Sequence, residues 1–241
     1  MGSSEVPART TSPTLDFGRC FTFLTEDPDW VKKLLIGGAF TFASILLVGA
    51  FFVAGYLSRF MKAVAAGSAR PLPEWDDLGG IFQDGLRVVG LYVLYGVGLV
   101  VAVALLACPF GLMFGGLAAF TREGAAQDAL GAIGGLGILL AYGVMLVLGL
   151  LLQLVTPAAL VRVVFKESLS AGFEFRAVFE FIRRNIGNYL LALVVFLLSN
   201  FLAQFGVILC CVGVFPAIFW AYLTLGYALG ETVRLNPASV G

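Results

Sequence analysis

Four apolar stretches, Leu34 to Leu57, Val88 to Phe120, Leu130 to Val161 and Asn188 to Gly230, contain no charged residue, while nearly every Lys and Arg lies in the connectors between them. A helix needs about 20 apolar residues to cross a hydrocarbon core of roughly 30 Å, so each stretch is long enough to span a bilayer. The chain reads as an integral membrane protein. Of its 241 residues 60% are hydrophobic and 12% charged, where soluble domains carry roughly a quarter charged. Lipid offers no hydrogen bonds to exposed peptide groups, so the expected class is all-α: a polytopic helix bundle of four to five transmembrane helices plus interfacial amphipathic helices. Fifteen basic and 15 acidic residues cancel formally, which gives no bulk basicity to suggest a nucleic-acid partner. The expected partners are the lipid bilayer and a membrane protein or a second copy of the chain.

Residues 1–14 are rich in Ser, Thr and Pro and read as a disordered lead-in. Residues 15–234 form one transmembrane helical domain, and 235–241 a short tail. No cleavable signal peptide is visible, because the first apolar run begins only after Lys32 and Lys33 and lacks a small-residue cleavage site.

One plan recurs three times: an amphipathic segment, an apolar excursion, and a Gly- or Ala-led exit ending in a basic residue. In the clearest copy Phe175, Val178, Phe179, Ile182 and Ile186 follow helical spacing, with Arg176, Glu180, Arg183 and Arg184 on the other face. Such a helix lies flat on a membrane. A second copy starts at Asp77, with Leu78, Ile81, Phe82 and Val89 opposite Gln83, Asp84 and Arg87; a fainter one carries Phe17, Phe21 and Leu24 beside Arg19. The exits are Gly55 to Arg59, Ala159 to Arg162, and Gly226 to Arg234.

A repeat that starts and ends on one side requires an even number of crossings. Asn188 to Gly230 holds 43 residues, about 65 Å as one helix, so it folds back near Gly206 to Gly213. Val88 to Phe120 and Leu130 to Val161 make another pair, joined by the polar link Thr121 to Asp128; Pro109 and Pro157 are expected to kink or end regular helix. Leu34 to Leu57 has 24 residues and no Pro or polar break, which fits a single crossing. Charge counting points the other way. One crossing puts Arg9, Arg19, Lys32, Lys33 and Arg122 opposite the other ten basic residues, whereas a hairpin leaves only Arg122 opposite fourteen. The positive-inside rule therefore weighs toward a hairpin, with the amphipathic segments and most basic residues cytoplasmic at the cell membrane.

The strings Phe21-Thr22-Phe23, Glu26-Asp27-Pro28-Asp29-Trp30-Val31-Lys32-Lys33-Leu34-Leu35-Ile36-Gly37-Gly38, Gly55-Tyr56 and Pro71-Leu72-Pro73-Glu74-Trp75-Asp76-Asp77 resemble the prokaryotic membrane family catalogued as domain of unknown function 4013. The resemblance runs from about residue 16 to 233. It extends to a Phe and a Gly in the helix Ile81 to Gly85, and in the second half to Pro157 and the amphipathic helix. It implies a membrane location and a helical architecture, and no activity. The Pro-containing break that the family often carries in its first run is absent here.

The segment Pro71, Leu72, Pro73, Glu74, Trp75, Asp76, Asp77 is the candidate interaction loop: two prolines stiffen it and hold an indole beside three carboxylates. A simpler reading makes Trp75 an interfacial anchor and Asp76 or Asp77 the cap of the following helix. Trp30, Lys32, Lys33, Tyr56 and Arg59 are the other expected interfacial anchors. The pairs Gly111/Gly115, Gly131/Gly135 and Gly226/Gly230 fit the small-xxx-small spacing of closely packed helices. Cys20, Cys108, Cys210 and Cys211 read as small apolar filler. The chain has no His, which removes the commonest general base and zinc ligand. No catalytic residue, metal site or cofactor is expected. The leading functional expectation is a non-catalytic scaffold, assembly partner or membrane organiser. The alternatives are a channel or carrier for a neutral solute or lipid, built on the glycine-rich segments 96–116 and 131–149, and an interfacial enzyme using Glu74, Asp76, Asp77 or Asp84.

Overall fold

The computed structural model describes residues 14–115, 117, 124–208 and 213–240. Among them the chain is helical, with no strand. Helix α1 (Arg19–Thr22) runs into a 3-10 turn, Phe23–Glu26. Helices α2 (Trp30–Ala43) and α3 (Val48–Ala65) flank a second such turn, Ser44–Leu46. Then come α4 (Leu78–Phe110), a π-helical turn Gly111–Gly115, and α5 (Ala125–Lys166). The last third holds the 3-10 turn Leu169–Phe173, α6 (Phe175–Arg184), α7 (Ile186–Gln204), a 3-10 turn Phe205–Ile208, α8 (Val214–Leu235) and a closing turn Pro237–Ser239. Among the described residues four helical stretches are long and apolar enough to cross a membrane: Val48–Ala65, Leu78–Phe114, Asp128–Lys166 and Ile186–Val207. The protein is an all-α membrane bundle.

The chain forms two compact units, Met1–Val89 with Ala158–Gly241, and Gly90–Pro157. In the first, α8 is the interior helix: twelve of its 22 residues are buried, and α2, α3 and α7 pack around it. Gly226 and Gly230 on α8 meet Leu57, Phe60, Met61 and Val64 of α3. Along the α7/α8 seam the Thr224 hydroxyl donates to Ser199 Oγ at 2.8 Å. In the second unit Leu91 and Tyr95 are buried, whereas Val97, Val100, Leu105, Leu136, Leu139, Leu146 and Leu150 are exposed. Apolar surface on this scale is stable only with lipid or another apolar partner against it.

The first apolar run folds back on itself. In a straight helix Phe40 and Phe52 would stand about 18 Å apart along the axis, yet their rings stack with centroids 4.7 Å apart. Ser44 turns its hydroxyl back onto Phe40 O at 2.9 Å, a local bond that competes with regular helix. Leu47 adopts a left-handed φ of 66°, a region costing an L-residue about 1–2 kcal/mol, and its amide closes the turn on Ser44 O at 2.9 Å. Gly49 makes the return feasible, since a Cβ there would lie 2.0 Å from Phe40 O. The break thus needs no proline.

Helix α3 crosses α4 just as closely. A Cβ on Gly55 would fall 1.8 Å from Ile81 O, and one on Gly85 1.8 Å from Phe51 O. Other expectations meet the structure unevenly. The segment from Asp77 is no separate interfacial helix: Leu78 to Phe110 is one helix, so its amphipathic turns are the base of a membrane-crossing element. Pro109 stands one residue before the end of α4, whereas Pro157 lies inside α5, which continues to Lys166. Helix α7 and its following turn end at Ile208 and α8 begins at Val214, placing the fold-back where chain length required it. A Cβ added at Gly131 or Gly135 would meet nothing within 4 Å, unlike one at Gly226 or Gly230. Cys20 is buried and Cys108 exposed, both as free thiols. The lead-in 1–13, the stretch 118–123, Cys210 and Cys211 lie outside the described residues.

Gly49→Val and Gly55→Val should each destabilise the protein by about 2 kcal/mol or more, because the added methyls overlap backbone rather than a flexible side chain. Gly96→Ala, which enters open space, should stay within about 0.5 kcal/mol of wild type. Thermal unfolding in mild detergent, followed by size-exclusion chromatography, reads both.

Candidate functional site

Where α2 begins, a charged side chain is taken out of water and completely coordinated. Lys33 is 4% exposed and Asp27 2%. The Lys33 ammonium lies 2.9 Å from Asp27 Oδ2 and 2.6 Å from Glu74 Oε1, and donates to Leu72 O at 3.0 Å. These three acceptors match its three N–H bonds. Asp27 Oδ1 accepts the Asp29 amide at 2.8 Å.

Two of the three acceptors, Glu74 Oε1 and Leu72 O, come from the stiff loop, and Asp27 from the turn before α2. Pro71 and Pro73 fix their own φ and have no N–H to donate, so the nearby carbonyls need donors from elsewhere. Lys33 serves Leu72 O, and the hydroxyl of Tyr56, a residue with no exposed surface, donates to Pro73 O at 2.9 Å. Trp75 locks the assembly: its indole N–H donates to Lys33 O at 3.2 Å, and its ring stacks on Tyr56 at 4.2 Å and on Phe40 at 4.9 Å. One indole therefore touches both arms of the α2/α3 hairpin.

Asp77 caps α4, accepting the Gly80 amide on Oδ1 at 3.0 Å, while its Oδ2 takes Arg59 at 2.8 Å. Arg59 Nε reaches Asp84 at 2.8 Å. Further ion pairs are Lys62 with Glu167 and Arg162 with Glu174 between elements, and the local pairs Arg19 with Glu26 and Arg234 with Glu231. Asn188 Oδ1 accepts the Leu15 amide, and Asn236 donates to Asn185.

Burial pushes the Asp27 carboxyl up, but the Lys33 and Asp29 hydrogen bonds outweigh it and hold the group below the usual carboxylate range. Burial likewise pulls Lys33 down, and its bonds to Glu74 and Asp27 leave it above the usual lysine value. The Gly80 amide and then Arg59 hold Asp77 low.

Among the expected loop residues, Pro71 and Leu72 are buried, Pro73 and Trp75 half-buried, and Glu74, Asp76 and Asp77 exposed. Trp75 is an internal wedge as well as an amphipathic side chain. Two expected interfacial anchors, Lys33 and Tyr56, are inside the protein instead, because the loop's carbonyls and carboxylates claim their polar atoms. Trp30 is half-buried, Lys32 exposed and Arg59 half-buried between two aspartates. Sequence reasoning missed the pairing of Asp27 with Lys33 and the pair Arg162–Glu174. The detectable signal was Lys33 itself, adjoining an apolar run and preceded six residues earlier by an acid. Among the described residues no three acidic or Cys side chains converge as a metal site.

A family model described as Protein of unknown function (DUF4013) matches residues 40–212. No curated protein and no solved structure matches the chain.

Lys33→Met strands a buried carboxylate and should cost about 3–5 kcal/mol. Adding Asp27→Leu should restore most of that loss in detergent unfolding, since the only carboxylate then left without Lys33 is Glu74, whose side chain is 63% exposed. A second check is pH. Asp27 and Asp77 contribute fully above the unfolded aspartate value of about 4 and lose their contribution as pH falls through their lowered folded values; Lys33 contributes fully below about 10 and loses it as pH rises through its raised one. The thermal midpoint should be level from about pH 5 to 9 and fall below about pH 4, less steeply in Asp27→Asn.

Proposed function

We propose, given that the chain belongs to the DUF4013 family, that it is a non-catalytic scaffold or assembly partner that docks another membrane protein through the charged end of its first unit. The clamped loop 71–77 carries this reading. Interior groups hold its backbone at Leu72 and Pro73, and Trp75 wedges it in place, while Glu74 and Asp77 keep 63% of their side-chain surface open and Asp76 is exposed. A surface fixed before binding loses little conformational freedom when a partner arrives. Its acidic, aromatic-backed character suits a partner with a basic segment.

Of the 15 Lys and Arg, only Arg122 falls outside the segments of the first unit. That asymmetry supports a cytoplasmic position for the charged end and a cell-membrane location. The second unit offers contact at membrane depth: Gly96, Gly98, Gly143 and Gly149 also have nothing within 4 Å of a Cβ position, and small residues allow a neighbouring helix close approach.

The test is mild-detergent purification of the tagged full-length protein at native expression, with quantitative identification of what co-elutes. A stoichiometric membrane protein is expected, lost in Asp76→Lys with the amount of folded protein unchanged. A protein that elutes alone with one enriched lipid or small molecule overturns the scaffold reading in favour of a carrier.

A further inference from the structure

Helix α6 presents four distinct stripes. Val178 and Phe181 are buried against the rest of the first unit. Phe175 and Phe179, four residues apart on one stripe, are 51% and 57% exposed. Arg176 and Arg183, seven apart, form the next stripe, about 70° further round the helix. Both are exposed, and neither has a carboxylate within ion-pair distance among the described residues. The remaining charges of the helix are engaged: Glu174 with Arg162 at 2.6 Å, and Arg184 with Glu180 at 2.5 Å and Ala238 O at 3.2 Å. These bonds pin both ends of α6 to the fold, so its orientation is not free to change.

The free arginines stand beside the exposed phenylalanines, not on the opposite side of the helix. That order, buried stripe, exposed aromatic stripe, unpaired basic stripe, ion-paired stripe, places a guanidinium at the edge of an apolar insertion. Phosphate groups occupy that level of a bilayer, above the acyl chains that accept Phe. Ile186, the first residue of α7 and 52% exposed, continues the apolar surface at the end of α6.

We infer that α6 is a docking surface for anionic phospholipid headgroups, with Phe175 and Phe179 inserted at the acyl boundary and Arg176 and Arg183 paired with lipid phosphates. The occupant is assigned by charge complementarity. Zwitterionic lipid satisfies the phenylalanines equally well but supplies no net negative charge for two unpaired guanidiniums. Each Arg near an anionic surface favours association roughly fivefold, so the pair discriminates anionic from zwitterionic lipid by about 30-fold. The surface is independent of the loop 71–77 and holds whether or not a protein partner docks there.

The test is hydrogen exchange on the full-length protein in nanodiscs of pure phosphatidylcholine and of phosphatidylcholine with about 30% phosphatidylglycerol. Amides of 175–184 should exchange about tenfold more slowly with the anionic lipid. Arg176→Gln with Arg183→Gln should remove that difference, and native mass spectrometry of the same variant should show loss of retained phosphatidylglycerol. Lys32→Gln with Arg70→Gln, basic residues outside α6 and likewise without an ion pair among the described residues, should leave it intact. Both variants lie at the surface and preserve the packed core. Equal exchange in the two lipids, or an unchanged difference in the Arg176/Arg183 variant, overturns the inference. So does equal slowing by inorganic phosphate in pure phosphatidylcholine, which marks an anion site with no need of lipid.

Discussion

An ammonium group withdrawn from water is tolerable only when each of its N–H bonds finds an acceptor, and Lys33 meets that condition through Asp27, Glu74 and Leu72 O. These partners come from both sides of the α2/α3 hairpin in sequence, so satisfying one charge ties the turn before α2 to the loop before α4. Trp75 continues the constraint by stacking on Phe40 of α2 and Tyr56 of α3. The loop fixes where α4 starts, and Asp77 caps that helix while holding Arg59. The near-contact of Gly55 with Gly85 then follows from a short connection between helices already held together.

Inside a membrane, helices gain no hydrophobic advantage from meeting one another, because lipid tails are as apolar as leucine. Close approach and buried hydrogen bonds have to supply the association. Glycine provides the first where α3 meets α4 and where α8 meets α3, and Thr224 with Ser199 provides the second. Helix α8 shows the result: protein surrounds it, and Glu231 and Arg234 at its end pair with each other. The exposed leucines and valines of the second unit make the opposite use of apolar surface, facing outward where lipid or a neighbouring helix can cover them.

Charge is divided as sharply as packing. Ion pairs join the end of α3 to the start of α4 and to the turn after α5, and the end of α5 to the start of α6. The more exposed of these, Arg59–Asp77 and Lys62–Glu167, contribute little stability each, whereas the Arg162 guanidinium is buried. The main effect of all three here is geometric, because they hold the loop 71–77 and helix α6 on a common frame. On that frame a few groups remain without partners among the described residues, notably the carboxylate of Asp76 and the guanidiniums of Arg176 and Arg183, and these are the atoms open to something outside the chain.

Much of this was determined by the sequence alone. Four uncharged runs separated by basic connectors sufficed for the membrane class and the helical architecture, since partition into lipid depends on local composition. Chain length by itself required the reversal between α7 and α8, and the pair Asp76-Asp77 before an apolar helix announced a cap, which the structure assigns to Asp77. An apolar and a charged face of α6 were legible from spacing, although not that Val178 and Phe181 are buried while Phe175 and Phe179 stay exposed, nor which arginines remain free. Tertiary structure alone decided the first hairpin. Its break at Ser44–Leu47 carries no proline and depends on Gly49 lying against Phe40 O and on Trp75 reaching both arms. It also decided that Lys33 and Tyr56 face inward, because the acceptors that draw them in lie 39 and 17 residues away. Local composition tells a segment which solvent it prefers; which polar atoms pair is settled only when distant segments are brought together.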